Sequence, residues 1–308
     1  GLAGDALTDA DYNVAVGKSS LSADTLGSKS TAVGYETLAA QNFTSATDGY
    51  NTALGYNVGY AITTGVNNTL IGGLAGDALT TGGNNIAVGY QALTTDTVGS
   101  RNVAIGNSAL RFQATSSAAD TYNVAVGHAA GEAVTTGVQN TLLGGLAGDA
   151  ITTGSNNVAI GYLALSTEDG NGRNVAIGTS ALQTQNTGSD VYNVGVGYFA
   201  GYAITTGANN TLIGGLAGDA LTTGGLNTAV GFASLTSSTT AANNTALGYA
   251  ALNAATTGAS NVAVGSSAGV AVTTGAANTL IGGNAGDALT EASYNVALGK
   301  NALSADTL

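Results

Sequence analysis

The sequence contains no cysteine, proline, methionine or tryptophan and only one histidine among its 308 residues. Without cysteine the chain can form neither a disulfide framework nor a thiolate metal site. Charged residues make up 8% of the chain, whereas about 25% is usual in globular domains. Because the 18 acidic residues outnumber the 6 basic ones, the chain lacks the basic surface that nucleic-acid binding requires.

Long apolar runs are missing as well. No stretch approaches the ~18 residues that a membrane-spanning helix needs, and the first residues do not form a signal peptide. We therefore expect no membrane insertion. The chain starts in the middle of a repeated pattern and without methionine, so we expect it to be part of a longer repeat array.

The sequence is instead rich in glycine and in repetition. Of its 48 glycines, 17 close a string that resembles Asn-x-Ala-Val-Gly, and we call these the anchor glycines. Of the 16 intervals between them, 13 are 17 residues long, two are 21 and one is 19. The anchors are Gly17, Gly34, Gly55, Gly72, Gly89, Gly106, Gly127, Gly144, Gly161, Gly178, Gly197, Gly214, Gly231, Gly248, Gly265, Gly282 and Gly299.

The residues before each anchor predict a short β-strand. The third residue before it is always Val, Ile or Thr, and the residue immediately before it is always Val, Ile or Leu. Such an alternation closed by glycine indicates a strand and then a corner. Because the usual interval is too short for a crossover helix, the strands must stack in parallel on their own copies. We predict an all-β fold without helices, a parallel β-solenoid (β-roll) of 17 coils that forms one continuous domain over residues 1–308.

An asparagine stands four residues before the anchor in 16 of the 17 coils, and Ser30 is the exception. Stacked coils would align these side chains in a ladder, in which each amide bonds the amides above and below it. We interpret this asparagine ladder as structural. It comprises Asn13, Asn51, Asn68, Asn85, Asn102, Asn123, Asn140, Asn157, Asn174, Asn193, Asn210, Asn227, Asn244, Asn261, Asn278 and Asn295.

Each coil also supplies a large aliphatic residue after its anchor. This residue follows the anchor by four positions in one form of the coil and by seven positions in the other. The two forms occur in pairs, so the full unit is a superrepeat of four coils. Superrepeats begin near residues 1, 73, 145, 215 and 283. The string NTLIGG recurs because it marks one layer of each four in the stack.

The residue two positions before each anchor is Ala, Leu or Gly, and it points away from the face that its two neighbours occupy. We assign the neighbouring Val and Ile residues to the coil interior, which places the Ala and Leu row on the outside. A soluble monomer rarely exposes so long an apolar stripe, so another copy of the chain should cover it. We predict a homotrimer whose axis is lined by Leu70, Leu142, Leu212 and Leu280.

The strings NVAVG, NVAIG and NTALG, followed by Tyr-x-Ala-Leu, resemble the head repeats of trimeric autotransporter adhesins. The NTLIGGLAGDALTTG coils are similar to arrays in tail-fibre and other virion fibre proteins of marine bacteriophages. The resemblance covers all 308 residues, although this chain has a longer coil and no stalk heptads. It implies a trimeric parallel β-roll, with core positions at Val14 and Val16 and at Val103 and Ile105.

The same resemblance implies a function. We expect the structural shaft of an extracellular fibre, on a bacteriophage tail or virion, that serves host attachment. The head region of a bacterial trimeric adhesin is the alternative. The partner of the chain would be itself, and a host receptor or glycan would bind through another part of the fibre.

The sequence has few residues that could act in catalysis or bind a metal ion. His128 occupies a variable position that is typical of a solvated surface. The aspartates of the GGLAGDAL-like strings are four coils apart, about 19 Å, which is too far for a catalytic pair. These strings also resemble a stacked calcium-binding repeat, but the neighbouring coils have no aspartate in that place. We predict no enzyme activity, no cofactor and no metal. The aspartates are Asp5, Asp77, Asp149, Asp219 and Asp287.

Two other surface features remain open. Thr-Thr pairs suggest an ice-binding solenoid, which we favour less because the pairs occur mainly in two of four coils and loops interrupt the stack. The three long intervals carry loops at Gln41–Tyr50, Arg111–Tyr122 and Gln183–Tyr192. The terminal tyrosines either contact a partner or cover the edge of a bulged coil. They are Tyr50, Tyr122 and Tyr192.

Overall fold

The structure, a computed structural model, describes residues 1–170 and 172–305. It divides the chain into two compact units, Gly1–Asn156 and Asn157–Leu308. Within the described residues all regular structure is β-strand, which confirms the expectation of an all-β chain without helices.

Each of the 17 anchor glycines follows a three-residue strand directly, so the predicted strands are confirmed in every coil. In the first unit these strands are β1 Val14–Val16, β3 Thr31–Val33, β5 Thr52–Leu54, β6 Thr69–Ile71, β7 Ile86–Val88, β9 Val103–Ile105, β11 Val124–Val126 and β12 Thr141–Leu143. In the second unit they are β13 Val158–Ile160, β14 Val175–Ile177, β15 Val194–Val196, β16 Thr211–Ile213, β17 Thr228–Val230, β18 Thr245–Leu247, β19 Val262–Val264, β20 Thr279–Ile281 and β21 Val296–Leu298.

Successive strands pair in parallel within each unit, as the solenoid prediction requires. The register is constant: Val14 lies beside Thr31 across a 17-residue coil. Val103 lies beside Val124 across a 21-residue coil. The additional residues of long coils therefore leave the sheet undisturbed. Two further parallel pairs form at the feet of the first two loops, β2 Gly27–Ser28 with β4 Thr47–Asp48, and β8 Gly99–Ser100 with β10 Ala119–Asp120.

The side-chain directions of these strands are opposite to our assignment. The central residue of the strand points into the coil of its own chain, and Leu70, Leu142, Leu212 and Leu280 are all 0% exposed. They cannot line an axis between chains, so that part of the prediction is wrong. The resemblance-based core positions are wrong in the same way, since Val14, Val16 and Ile105 are exposed and Val103 is half-buried.

The physical reason is the narrowness of the coil. A Cβ atom added to Gly76 would lie 3.0 Å from Leu70 Cδ2, and one added to Gly59 would lie 2.9 Å from Leu70 Cδ1. The interior thus accepts one leucine only where neighbouring coils supply glycine, and it accepts alanine elsewhere. The large residues after the anchor complete this core as predicted, and Leu93 and Leu79 represent its two forms, both fully buried.

The corners of the coil require an unusual backbone. Anchor Gly214 has a φ of +132°, and a Cβ atom there would lie 2.4 Å from the carbonyl oxygen of Gly231 in the next coil. Non-glycine residues also adopt positive φ, for example Tyr122 at 52°. Such a conformation costs roughly 1–2 kcal/mol per residue. Hydrogen bonds between successive coils offset this cost, since Tyr122 lies between β10, which pairs with β8, and β11, which pairs with β9.

Candidate assembly face and loop sites

In each unit the outer face of the sheet carries a row of aliphatic side chains, which we call the aliphatic row. It consists of the residue immediately before each anchor, and none of its members is buried. In the first unit the row is Val16, Val33, Leu54, Ile71, Val88, Ile105, Val126 and Leu143. In the second unit it is Ile160, Ile177, Val196, Ile213, Val230, Leu247, Val264, Ile281 and Leu298.

Aromatic rings extend this apolar surface around the corner. The residue after the anchor is an exposed Tyr or Phe in several coils, and adjacent rings stack. The Tyr35 and Tyr56 ring centroids are 5.4 Å apart, and those of Phe232 and Tyr249 are 6.0 Å apart. The second glycine of NTLIGG makes room here, because a Cβ atom on Gly215 would lie 3.3 Å from the Phe232 ring. His128 stands in the same column and is exposed, as the sequence predicted.

The asparagine ladder lies inside the coil, where its side chains are buried or nearly so. Asn68 illustrates its bonding. Its backbone N–H donates to Asn51 Oδ1 at 2.9 Å, and its Nδ2 donates to the carbonyl oxygen of Gly82 at 3.0 Å. A longer amide–amide bond of 3.2 Å joins Asn68 Nδ2 to Asn51 Oδ1. The Asn68 side chain thus satisfies two backbone groups of the next coil, the Gly82 carbonyl and the Asn85 N–H, which only a residue with both an acceptor and donors can do.

Each long loop is held at the surface by a basic residue, an aspartate and a tyrosine, which we call a surface trio. In the first, Lys29 Nζ donates to Asp48 Oδ2 at 2.7 Å and lies 5.2 Å from the centre of the Tyr50 ring. The other two trios repeat this arrangement with arginine as the base. They are Arg101, Asp120 and Tyr122, and Arg173, Asp190 and Tyr192.

The three tyrosines named from the sequence therefore lie at the feet of the loops, about half exposed, with a cation against each ring. This geometry favours the interpretation that they brace the loops. Sequence reasoning missed the basic residues, because Lys29 is 21 residues from Tyr50 and belongs to the preceding coil. The three basic residues recur every 72 residues, and this spacing could have identified them in the sequence.

A second support is buried beneath each loop. Asp24, Asp96 and Glu168 are fully buried, and each accepts a hydrogen bond from the side-chain amide of a glutamine in the next coil. We call each acid with its glutamine a buried pair. The glutamine oxygen then accepts from a ladder asparagine, as Gln113 does from Asn123 at 3.0 Å. The glutamines are Gln41, Gln113 and Gln185.

The fourth superrepeat provides an internal comparison, because its corresponding interval has 17 residues and no loop. Ser238 and Ala255 replace the buried pair there. Asn243, Gly258 and Ser260 replace the surface trio. All five supporting residues occur together with a loop and disappear together without it, so they form one loop-anchoring set.

Replacing the buried acid should free the loop. Asp96→Ala removes the acceptor for Gln113 Nε2 at 2.6 Å, Thr115 Oγ1 at 2.8 Å and the Gly99 N–H at 3.1 Å. Each buried donor left unpaired costs about 1–3 kcal/mol. We expect faster proteolysis and faster amide exchange in residues 111–122 than in the parent chain.

The matched control is Ser238→Ala at the equivalent position of the loop-free superrepeat. Ser238 Oγ is buried without a partner among the described residues, so its removal leaves no donor or acceptor stranded. Unchanged exchange in Asp96→Ala would show that the buried pair does not support the loop.

The first surface trio predicts a pH dependence. The hydrogen bond from Lys29 lowers the pKa of Asp48 below its ordinary value of 3.8. A lowered carboxyl pKa contributes stability above the unfolded pKa, and this contribution is lost as the pH falls through the folded pKa. NMR titration should find the Asp48 midpoint below 3.8, and Lys29→Met should raise it. Lys18→Met, outside the trio, should leave the midpoint unchanged, and an equal shift in both variants would contradict the assignment.

The aspartates of the GGLAGDAL-like strings do not come together. Burial raises the pKa of Asp77, Asp149 and Asp219. Asp77 Oδ1 accepts a hydrogen bond from Thr94 Oγ1 at 2.6 Å, and the negative charge of Glu132 adds to the raised pKa of Asp149. In residues 1–170 and 172–305, no three acidic or histidine side chains are close enough to hold a metal ion.

Among residues 1–170 and 172–305 there is no helix long and apolar enough to cross a membrane. Together, the fold and its repeat define a β-solenoid repeat protein. No family model, curated protein or solved structure matches the chain.

Proposed function

We propose that the chain forms the shaft of an extracellular, trimeric fibre, most simply a bacteriophage tail or virion fibre used in host attachment. The observation that carries the proposal is the aliphatic row. All 17 of its residues are Val, Ile or Leu, although they lie on the outer face of the sheet. A row of this kind is roughly 35 Å long in each unit, given a coil repeat of about 4.8 Å.

An exposed apolar surface of this extent is typical of an interaction site. A repeating row fits best against a surface with the same repeat, and another copy of this chain provides one. Parallel chains would align Val, Ile and Leu residues coil by coil. The argument for assembly made from the sequence thus applies, but to the opposite face of the strand.

The interactions between successive coils support a structural role. Hydrogen bonds between coils and a buried asparagine ladder repeat along both units, and such stacked units support one another as in other solenoids. The resemblance of the NVAIG and NTLIGG strings supports a virion fibre. The head of a bacterial adhesin is the alternative, and it would place stalk heptads and a membrane anchor next to this segment.

The first test is the solution mass of the chain, measured by light scattering on a size-exclusion column. We expect a mass near three times 29.6 kDa. A well-folded chain with a mass of 29.6 kDa would leave the aliphatic row in water and would overturn the assembly proposal.

A further inference from the structure

The second unit carries a regular surface of threonines that the fibre proposal does not use. Five successive coils each present two adjacent threonines, which we call the threonine face. The expectation that such pairs occur mainly in two of four coils is wrong here, because the fourth superrepeat has no loop to interrupt them. The pairs are Thr205 and Thr206, Thr222 and Thr223, Thr239 and Thr240, Thr256 and Thr257, and Thr273 and Thr274.

The first column of this face is locked by hydrogen bonds between coils. The Thr222 hydroxyl and backbone N–H both donate to the carbonyl oxygen of Thr239, at 2.9 and 2.8 Å. The Thr239 hydroxyl donates to Thr256 in the same way, at 3.3 Å. Because every hydroxyl of the column points along the stack, the methyl groups share one orientation as well.

The second column differs, because its threonines are exposed. Thr223, Thr240 and Thr257 are typical members. The flanking columns hold only small residues, such as Ala220 and Ala242. The result is a surface of hydroxyl and methyl groups without bulky side chains between them.

Charge is also nearly absent around this surface. From residue 191 to residue 286 the only charged side chain is Asp219, which is half-buried in the GGLAGDAL-like string and outside both columns. The exposed Glu291 takes the second-column position in the coil after Thr273, whose N–H donates to Thr290, so the face ends there. Charged groups would bind water in shells of their own. Their absence leaves the spacing of the hydroxyl and methyl groups to determine how water is arranged.

That spacing suits hydrogen-bonded water. Adjacent coils repeat at about 4.7–4.9 Å. Two water molecules bonded to the same third molecule lie about 4.5 Å apart, if each O–H···O distance is about 2.75 Å and the geometry is tetrahedral. Water bound to successive threonines is therefore close to the spacing of a tetrahedral lattice along the stack.

We propose that the threonine face binds the surface of ice by ordering water on its two columns. The ligand class is crystalline water, and no sugar or ion is required. The inference concerns a different face from the aliphatic row, so it does not rest on the assembly proposal.

The test uses the whole chain in assays of thermal hysteresis and of ice recrystallisation. The parent chain should inhibit recrystallisation and produce a hysteresis gap. Thr240→Lys places a long charged side chain in the middle of the face and should abolish both effects. Thr81→Lys, in the first unit where such pairs span only two coils, should retain them.

Circular dichroism and solution mass establish that both variants keep the fold and assembly of the parent, which is expected because both sites are exposed. A parent chain no more active than an equal concentration of an inert protein would overturn the proposal. Equal loss in both variants, or no loss in either, would overturn it as well, since the activity would not reside in this face. A change in mass alone would concern the fibre proposal only.

Discussion

Leu212→Ala should cost about 3–5 kcal/mol of folding free energy, whereas the same change at the adjacent Ile213 should cost far less. Both residues are large and aliphatic and both lie in β16. Leu212 is 0% exposed and Ile213 is 39% exposed. The first change removes methyl groups from inside the coil, where Cβ atoms added to Gly201 or Gly218 would come within 3.0 Å of the leucine side chain. A cavity would remain because the closed coil cannot collapse around it.

The pair of variants forms its own control, since they share position, strand and residue class. Unfolding should be followed by denaturant titration and by amide exchange in β15, β16 and β17, because solenoids can unfold locally. Measurement at a low chain concentration reduces any contribution from assembly to the Ile213 variant. If Ile213→Ala destabilised the isolated chain more than Leu212→Ala, the observed side-chain directions would be wrong.

Charging the aliphatic row should separate the chains without unfolding them. Ile213→Lys combined with Ile281→Lys places two ammonium groups on the outer face of the second unit, where both side chains are more than a third exposed. In an assembly these groups would be buried without partners, and each unpaired buried charge costs several kcal/mol. We expect the mass to fall from about three chains to one, with an unchanged circular dichroism spectrum.

The control for added charge is Thr240→Lys, which also adds a lysine to the second unit but on the threonine face. It should leave the mass unchanged. If the double variant assembled like the parent chain, the aliphatic row would not be the contact between copies. Loss of ice activity in the double variant would show that the two faces are not independent.

Moving a loop into the loop-free superrepeat would test the loop-anchoring set. The loop-anchoring set supports Ser- and Thr-containing loops at the same position of three superrepeats, and the structure gives their tyrosines a bracing role. Transfer of all five residues and one loop into the fourth superrepeat should produce a folded chain, and it should also interrupt the threonine face. That single design would test the anchoring set and the ice inference by different measurements.

The sequence by itself determined the strands, the coil length and the content of the core after each anchor. These are local features: the β-branched alternation that ends in glycine forms a strand at all 17 anchors of this chain, and the 17-residue interval leaves little choice of partner. The Asn68 position could be predicted for the same reason, since its amide bonds a carbonyl and an N–H of the coil that stacks on it.

Only the tertiary structure decided which face of each strand is inside. In Thr-Leu-Ile at Thr69–Ile71 both faces of the strand carry apolar atoms, so the alternation fits either direction. The sequence did contain an indication of the buried face. Thr replaces Val in eight coils three residues before the anchor, but Thr never occurs two residues before it. A polar hydroxyl is tolerated where water can reach it, and the alanine row is not such a place.

The loop-anchoring set was likewise beyond local reasoning. Asp96 and Gln113 are 17 residues apart, and in the sequence alone they resemble ordinary polar turn residues. Stacking brings them together in the closed interior of the coil, where an unpaired carboxylate or amide is costly, so each requires the other. The local pattern could place the strands, but the pairing of distant polar groups and the direction of the side chains depended on how the coils close and stack.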